Sequence, residues 1–223
     1  MIIVGMSIDE IQKQVGADFL LLNKVEDSRA DIIHDWAVRK KNESVLSWQW
    51  KSPNGNVWHM MYQRDGEHVN IVHYMFINGN YGRYVLKPQP TDDGFVILVY
   101  LPHFFKRYRE RMKLGSKLNP GQLIRRYLRR NSNASCRMND IGEFEATTAE
   151  GIGLGVAVSE RQRLMKTFIT YDMAKGSQIE RFREGNKRRK QMCDNYPVFS
   201  VDVRNEMMEF GLTDEELNNK KQD

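Results

Sequence analysis

Cysteine is scarce in this chain, and the two residues present, Cys136 and Cys193, form no CxxC pair and stand at no ligand spacing from a histidine. That argues against a disulfide-stapled scaffold and against a zinc ribbon. Long apolar runs are missing as well. No stretch approaches the roughly 20 apolar residues that a membrane-spanning helix requires. The opening segment MIIVGMSIDE is apolar for only six residues and lacks a basic flank, so it is not read as a signal peptide. A reduced, cytoplasmic protein with no membrane partner is the expectation. A strong overall charge is absent too: 34 Lys and Arg against 29 Asp and Glu leave only +5.

What is present is a concentration of that charge. From His103 to Arg137 there are eleven Lys and Arg and one acid, Glu110, a local balance of 11 − 1 = +10, so the rest of the chain is net acidic. Clustered basic charge of this kind points to an anionic partner. The composition otherwise is that of an ordinary globular protein, 40% hydrophobic and 28% charged.

Along the chain, residues 7 to 42 read as helical. Ser7 followed by Glu10 is a capping box, and Arg39, Lys40 and Lys41 suit a helix C-terminus. From Val45 the period changes to two. VLSWQWKS and VWHMMYQRD flank an Asn54-Gly55 turn, and HVNIVHYMFI and RYVLK continue what reads as four antiparallel strands. Their aromatics could offer bases a stacking platform, but the buried face of a sheet is the preferred reading. PQPTDD is the linker candidate, dividing residues 1–90 (helices plus antiparallel strands) from 91–223 (basic helices, a β-hairpin and C-terminal helices). GFVILVYL is apolar enough to be a central strand shared by both parts.

Two basic helices follow. In HFFKRYRERMKLG, Phe104, Phe105, Tyr108 and Met112 share one face, while His103, Arg107 and Arg111 stack at i, i+4 and i+8 on the rim. In PGQLIRRYLRR, Leu123, Tyr127 and Leu128 face inwards and leave Arg125, Arg126, Arg129 and Arg130 outside. NSNASCRMND reads as loop, and EFEATTAE, GIGLGVAVSE and LMKTFITYDM read as strands, the last two forming a hairpin. Gly151, Gly153 and Gly155 alternate with apolar residues and precede no helix, so they are not a nucleotide loop. They bare one face of a strand to another element or a ligand. Glu180 and Glu184 precede the basic Lys187-Arg188-Arg189-Lys190, and a short docking helix is expected in the final segment. The fold class is therefore α+β: N-terminal helices, a mainly antiparallel sheet, and basic helices packed on a C-terminal hairpin.

The rim residues suit phosphodiester cleavage without metal. Imidazole works as acid or base near neutral pH, and guanidinium forks match phosphate oxygens. His103, Arg107 and Arg111, with Thr170 and Tyr171 on the closing strand beside Thr167, form the candidate catalytic set, needing no cofactor. Lys106, Arg109, Arg125, Arg126, Arg129 and Arg130 form the candidate nucleic-acid-binding set. The order of a helix bearing H-x3-R-x3-R, a second basic helix and a Thr/Tyr-containing hairpin strand resembles the metal-independent ribonucleases that unite barnase, EndoU, colicin and RelE, with the BrnT-like toxins nearest. The resemblance spans about residues 94–175 and implies a toxin or defence-type endoribonuclease acting on RNA, with an antitoxin as possible partner. The extra N-terminal part of about ninety residues departs from that family. A non-catalytic RNA- or DNA-binding protein and an interaction domain for an acidic protein partner are the alternatives.

Overall fold

The computed structural model describes residues 1–39, 44–65, 68–91 and 94–195. The expected basic helix end at Lys40 and Lys41 and the C-terminal docking helix lie outside the described residues, as does Gly66 of the turn that Asp65-Gly66 predicts before HVNIVHYMFI. The fold is α+β, with a nine-stranded sheet in the order β1-β2-β3-β4-β5-β9-β8-β7-β6. Helices α1 (Ile8–Asp27) and α2 (Ala30–Arg39) precede the meander β1 (Val45–Lys51), β2 (Val57–Asp65), β3 (His68–Gly79), β4 (Gly82–Thr91) and β5 (Gly94–Tyr100). Helices α3 (Pro102–Arg111) and α4 (Pro120–Arg130) lead to β6 (Ser135–Met138), β7 (Glu143–Thr147), β8 (Ile152–Ser159) and β9 (Gln162–Ile169), and α5 spans Ser177–Asn195. β5 and β9 pair in parallel, Ile97 opposite Gln162 through Tyr100 opposite Met165, and join the two antiparallel meanders.

Alternation along the strands divides the interior into two cores. Trp58, Met60, Tyr62, Met75, Ile77, Leu86 and Val99 pack with Ile11, Val15 and Leu22 of α1 and Trp36 of α2. The intervening residues, among them Met61, Tyr74, Val85, Leu98 and Tyr100, pack with α3 and α4 on the opposite face. α1 starts at the Ser7–Glu10 capping box. Its buried Asp18 accepts hydrogen bonds from Asn54 Nδ2 at 2.8 Å, Asn56 Nδ2 at 2.7 Å and Trp58 Nε1 at 2.8 Å. Three donors offset the cost of burying that carboxylate and hold the β1–β2 turn against the helix.

α3 buries Phe104, Phe105 and Tyr108, as its period requires. Phe104 meets Tyr100 and Tyr127 edge-on with centroids 5.0 Å apart, and Tyr108 meets Phe168 at 5.1 Å and 90°. Each such pair adds about 0.5–1.5 kcal/mol beyond area burial, so α3 cannot roll about its axis. α4 begins with an Asn119–Gln122 capping box and Pro120 in its first turn, and buries Leu123, Ile124, Tyr127 and Leu128. The glycines of β8 do bare its face. A Cβ on Gly153 would lie 2.8 Å from Met165 Cε and 3.4 Å from Phe104 Cε2, so the space is filled by Met165 of β9 and Phe104 of α3. α5 comes against β7 in the same manner, where a Cβ on Gly185 would lie 2.6 Å from Thr147 Oγ1.

Three expectations need correction. Pro88, Gln89, Pro90 and Thr91 are strand residues of β4 opposite β5, not a linker. Pairing of β4 with β3 ends at Leu86, so alternate prolines can turn their missing donors towards a free edge. Ser135–Met138 is the strand β6 and not loop; Asn139 supports its turn by accepting from the Glu143 amide at 2.8 Å, with Gly142 at φ 77°. β9 stops at Ile169, so Thr170 and Tyr171 lie beyond the strand. Thr170 precedes a single 3-10 turn, Tyr171–Met173, without a side-chain bond to its backbone, and its hydrogen bond to Asp172 holds that carboxyl below its ordinary range. Local side-chain bonding of this type competes with the sheet ladder.

Candidate functional site

α3 runs beside β9, and Leu101 N donates to the Met165 carbonyl at 3.1 Å where the helix begins. On its exposed edge, Arg107 Nε donates to His103 Nε2 at 3.1 Å, and Arg107 Nη1 meets Glu110 Oε2 at 2.8 Å. One turn on, Arg111 Nη1 donates to Thr167 Oγ1 at 3.1 Å and to the Phe168 carbonyl. Helix edge and strand therefore meet, through Arg111. Tyr171 is oriented elsewhere: its hydroxyl donates to the Thr148 carbonyl, burial raises its pKa, and the nearby charge is Arg189 of α5. Among the described residues no hydrogen bond joins Thr170 or Tyr171 to His103, Arg107 or Arg111. Lys106 is exposed, and Arg109 Nη2 donates to the Leu118 carbonyl at 2.6 Å, bracing the α3–α4 loop.

The arginines of α4 have a different setting from a solvated outer face. They line a cleft of about 650 Å³ between α4 and the first three strands. Gln122, Arg125, Arg126, Arg129 and Arg130 form one wall, and Ser47, Gln49, His59, Met61 and Tyr74 contribute to the floor. Among the described residues no acid lines the cleft. Arg129 Nη2 donates to Ser44 Oγ at 2.6 Å across the cleft mouth. Arg125 and Arg130 are exposed and have no hydrogen-bond partner among the described residues. Both are placed to receive an anion.

Arg126 is held from behind. It donates to the Tyr108 hydroxyl and pairs with Glu150 Oε1 at 3.2 Å, while Tyr108 donates to Glu150 Oε2 at 2.5 Å and Asn131 Nδ2 to the same oxygen at 3.0 Å. Burial acts to raise the Glu150 pKa, but hydrogen bonds from Tyr108, Arg126 and Asn131 outweigh it and leave the carboxyl below its ordinary value. Glu150 thus stays charged and fixes the direction of Arg126.

The floor is a row of cross-strand neighbours. Gln49 stands opposite His59, and His59 opposite Tyr74. The imidazole and phenol rings are stacked, 4.9 Å apart and 12° from parallel, and Phe76 meets His59 edge-on at 4.7 Å. Burial, then the charges of Arg125 and Arg83, push the His59 pKa down to about 4. The Tyr74 pKa is raised to about 12, chiefly by burial. Arg83 lies 4.8 Å above the Phe76 ring, adding a further cation beside the row. Because these aromatic faces are already stacked on one another, the sheet presents ring edges to the cleft and not a bare stacking surface.

The sequence reading overlooked Gln49, His59, Tyr74, Arg83 and Glu150 as site residues. The sequence carried no reliable signal for the first two: a two-residue Asn54-Gly55 turn would set Gln49 opposite Met60, whereas the loop closes between Ser52 and Asn56 and shifts the register by one, setting Gln49 opposite His59. His73 lies on the other side of the sheet, with Nε2 2.8 Å from Glu26 Oε1, so it does not converge with His59. Among the described residues no helix is long and apolar enough to cross a membrane. Comparison of the chain with protein-family models, with curated proteins and with solved structures gives no match.

Proposed function

We propose that this protein acts on nucleic acid, holding a single strand by its phosphates in the cleft between α4 and β1–β3. One observation carries the reading: among the described residues, four arginines and no acid line a cleft of about 650 Å³. Guanidinium groups match phosphate oxygens, and the concave setting raises the local potential above that of a flat basic face. Lys106 on the adjoining helix can extend the same track. A cytoplasmic location, where such a ligand is plentiful, belongs to the same proposal.

Binding of a labelled oligonucleotide, followed by fluorescence anisotropy across a salt series, tests it. Three to four neutralised phosphates predict a slope of about −2 to −3 in log K against log salt for a single strand. Joint replacement of Arg125, Arg129 and Arg130 by Ala should remove both affinity and slope. Unchanged affinity in that variant rejects the cleft.

The second reading is a metal-independent endoribonuclease of toxin or defence type, with an acidic antitoxin as its protein partner. It is favoured by the exposed His103 held by Arg107, one turn from the Arg111–Thr167 contact. RNA degradation in EDTA that disappears in His103→Ala supports it, and full activity in that variant rejects it. An interaction domain for an acidic protein would use the same basic surface. Purified protein whose ultraviolet spectrum carries no nucleic-acid contribution, and which binds no oligonucleotide, favours that alternative.

A further inference from the structure

We infer that Gln49, His59 and Tyr74 form a hydrogen-bonding strip that reads a neutral polar edge of the ligand, a sugar hydroxyl or a base edge, beside a phosphate held by the α4 arginines. The inference rests on the reading of the cleft as a phosphate-binding site. It goes further in giving the cleft a second, uncharged subsite and hence a preference among phosphorylated strands.

The strip follows from register. Gln49, His59 and Tyr74 lie side by side on three adjacent strands, on the sheet face that α4 overhangs. Stacking at 4.9 Å covers the ring faces of His59 and Tyr74 and turns their edges towards the cleft. Gln49 Nε2 approaches His59 Nδ1 at 3.4 Å. With Nδ1 facing an amide donor, the neutral imidazole carries its proton on Nε2 and offers it as a donor. The groups around the imidazole are Ser47 and Gln49 of β1, Tyr74 and Phe76 of β3, Arg83 of β4 and Arg125 of α4. None is an acid, and the two arginines oppose a third positive charge, so His59 works as a neutral donor. Among the described residues neither His59 Nε2 nor the Tyr74 hydroxyl has a hydrogen-bond partner, although Tyr74 is only 2% exposed. A site with oriented donors awaiting an acceptor discriminates against ligands that lack one.

The experiment compares three probes of equal length and phosphate number: an RNA, a DNA of matching sequence and an abasic deoxyribose-phosphate strand. Each is titrated against the full chain and its Tyr74→Phe and His59→Gln variants, with circular dichroism confirming that the variants are folded. The full chain should bind the base-bearing or ribose-bearing probe about three- to tenfold more tightly than the abasic strand, the worth of one or two net hydrogen bonds. Tyr74→Phe, which keeps the ring and its packing, should reduce that preference. Preference for RNA alone assigns the edge to the 2′-hydroxyl; equal preference for RNA and DNA assigns it to the base. Equal binding of all three probes by the full chain and both variants overturns the strip and leaves the phosphate reading standing. Failure of every probe to bind overturns both.

Discussion

Arg111 Nη1 lies 3.1 Å from Thr167 Oγ1, and through this contact the basic edge of α3 is fastened to the free side of β9. The same guanidinium also reaches the Phe168 carbonyl, an acceptor that the β5 ladder, ending at Met165, leaves open. Arg111 is therefore a structural tie as well as a cation near His103. Arg111→Ala is expected to destabilise the fold by about 1–2 kcal/mol, from an unsatisfied strand carbonyl. Chemical denaturation measures this. If cleavage of RNA in EDTA falls in Arg111→Ala but survives in Arg111→Lys at equal stability, the residue's charge matters to the ligand as well.

Glu150 is the acceptor shared by Tyr108, Arg126 and Asn131. Its removal leaves the Tyr108 hydroxyl proton without an acceptor and takes one acceptor each from Arg126 and Asn131, which keep Tyr108 and the Tyr127 carbonyl, at the junction of α3, α4 and the β7–β8 turn. Glu150→Ala should cost about 2–3 kcal/mol, less than a fully buried ion pair because Arg126 is partly exposed. Glu150→Gln, which keeps one acceptor oxygen, should cost less. A thermal midpoint equal to that of the unmodified chain in both variants would show the cluster to be energetically idle.

The glycines of β8 differ in what opposes them. A Cβ on Gly155 would sit 2.4 Å from the Leu164 carbonyl oxygen, whereas one on Gly153 meets the flexible end of Met165. Gly155→Ala must move a strand and is expected to exceed the roughly 1–3 kcal/mol usual for overpacking; Gly153→Ala should fall within it. Equal denaturation midpoints for the two variants would contradict this ordering.

Lys87 is 6% exposed, donates to Gln89 Oε1 at 2.6 Å, and burial pushes its ammonium pKa from 10.5 down to about 8. Below pH 8 the folded chain carries this charge in the interior at a cost. Between pH 8 and 10.5 the folded state has lost a proton that the unfolded state still binds, so this group makes stability rise with pH across that window. Lys87→Met should stabilise the protein by roughly 1–3 kcal/mol at pH 7. That advantage should shrink towards pH 10.5, as thermal melts at a series of pH values would record.

Much of the scaffold was legible because local chemistry and tertiary packing agree. The Ser7 cap, the Asn54-Gly55 turn and the aromatic stripe of α3 each carry a period or a spacing that only one element satisfies. β6 was not legible, since four residues with only Ser135 buried leave no alternation to read. The end of β9 was obscured by Thr170 and Asp172, which divert the backbone into a turn. The cleft was the larger omission. α4's arginines follow the helical period of an outward face, and only the width of the meander beneath them turns that face into a wall. Gln49, His59 and Tyr74 become neighbours solely through strand pairing, ten and fifteen residues apart in the chain.

The parallel seam between β5 and β9 has a thermodynamic corollary. The floor of the cleft belongs to the first meander, while α4 belongs to the long connection that the seam closes. The cleft is thus assembled only when residues some 65 positions apart have paired, Ile97 with Gln162. Occupancy of the cleft and integrity of the whole sheet are one linked equilibrium. A ligand gripped by α4 should raise the melting point of strands it never touches, and do so in proportion to the logarithm of its concentration.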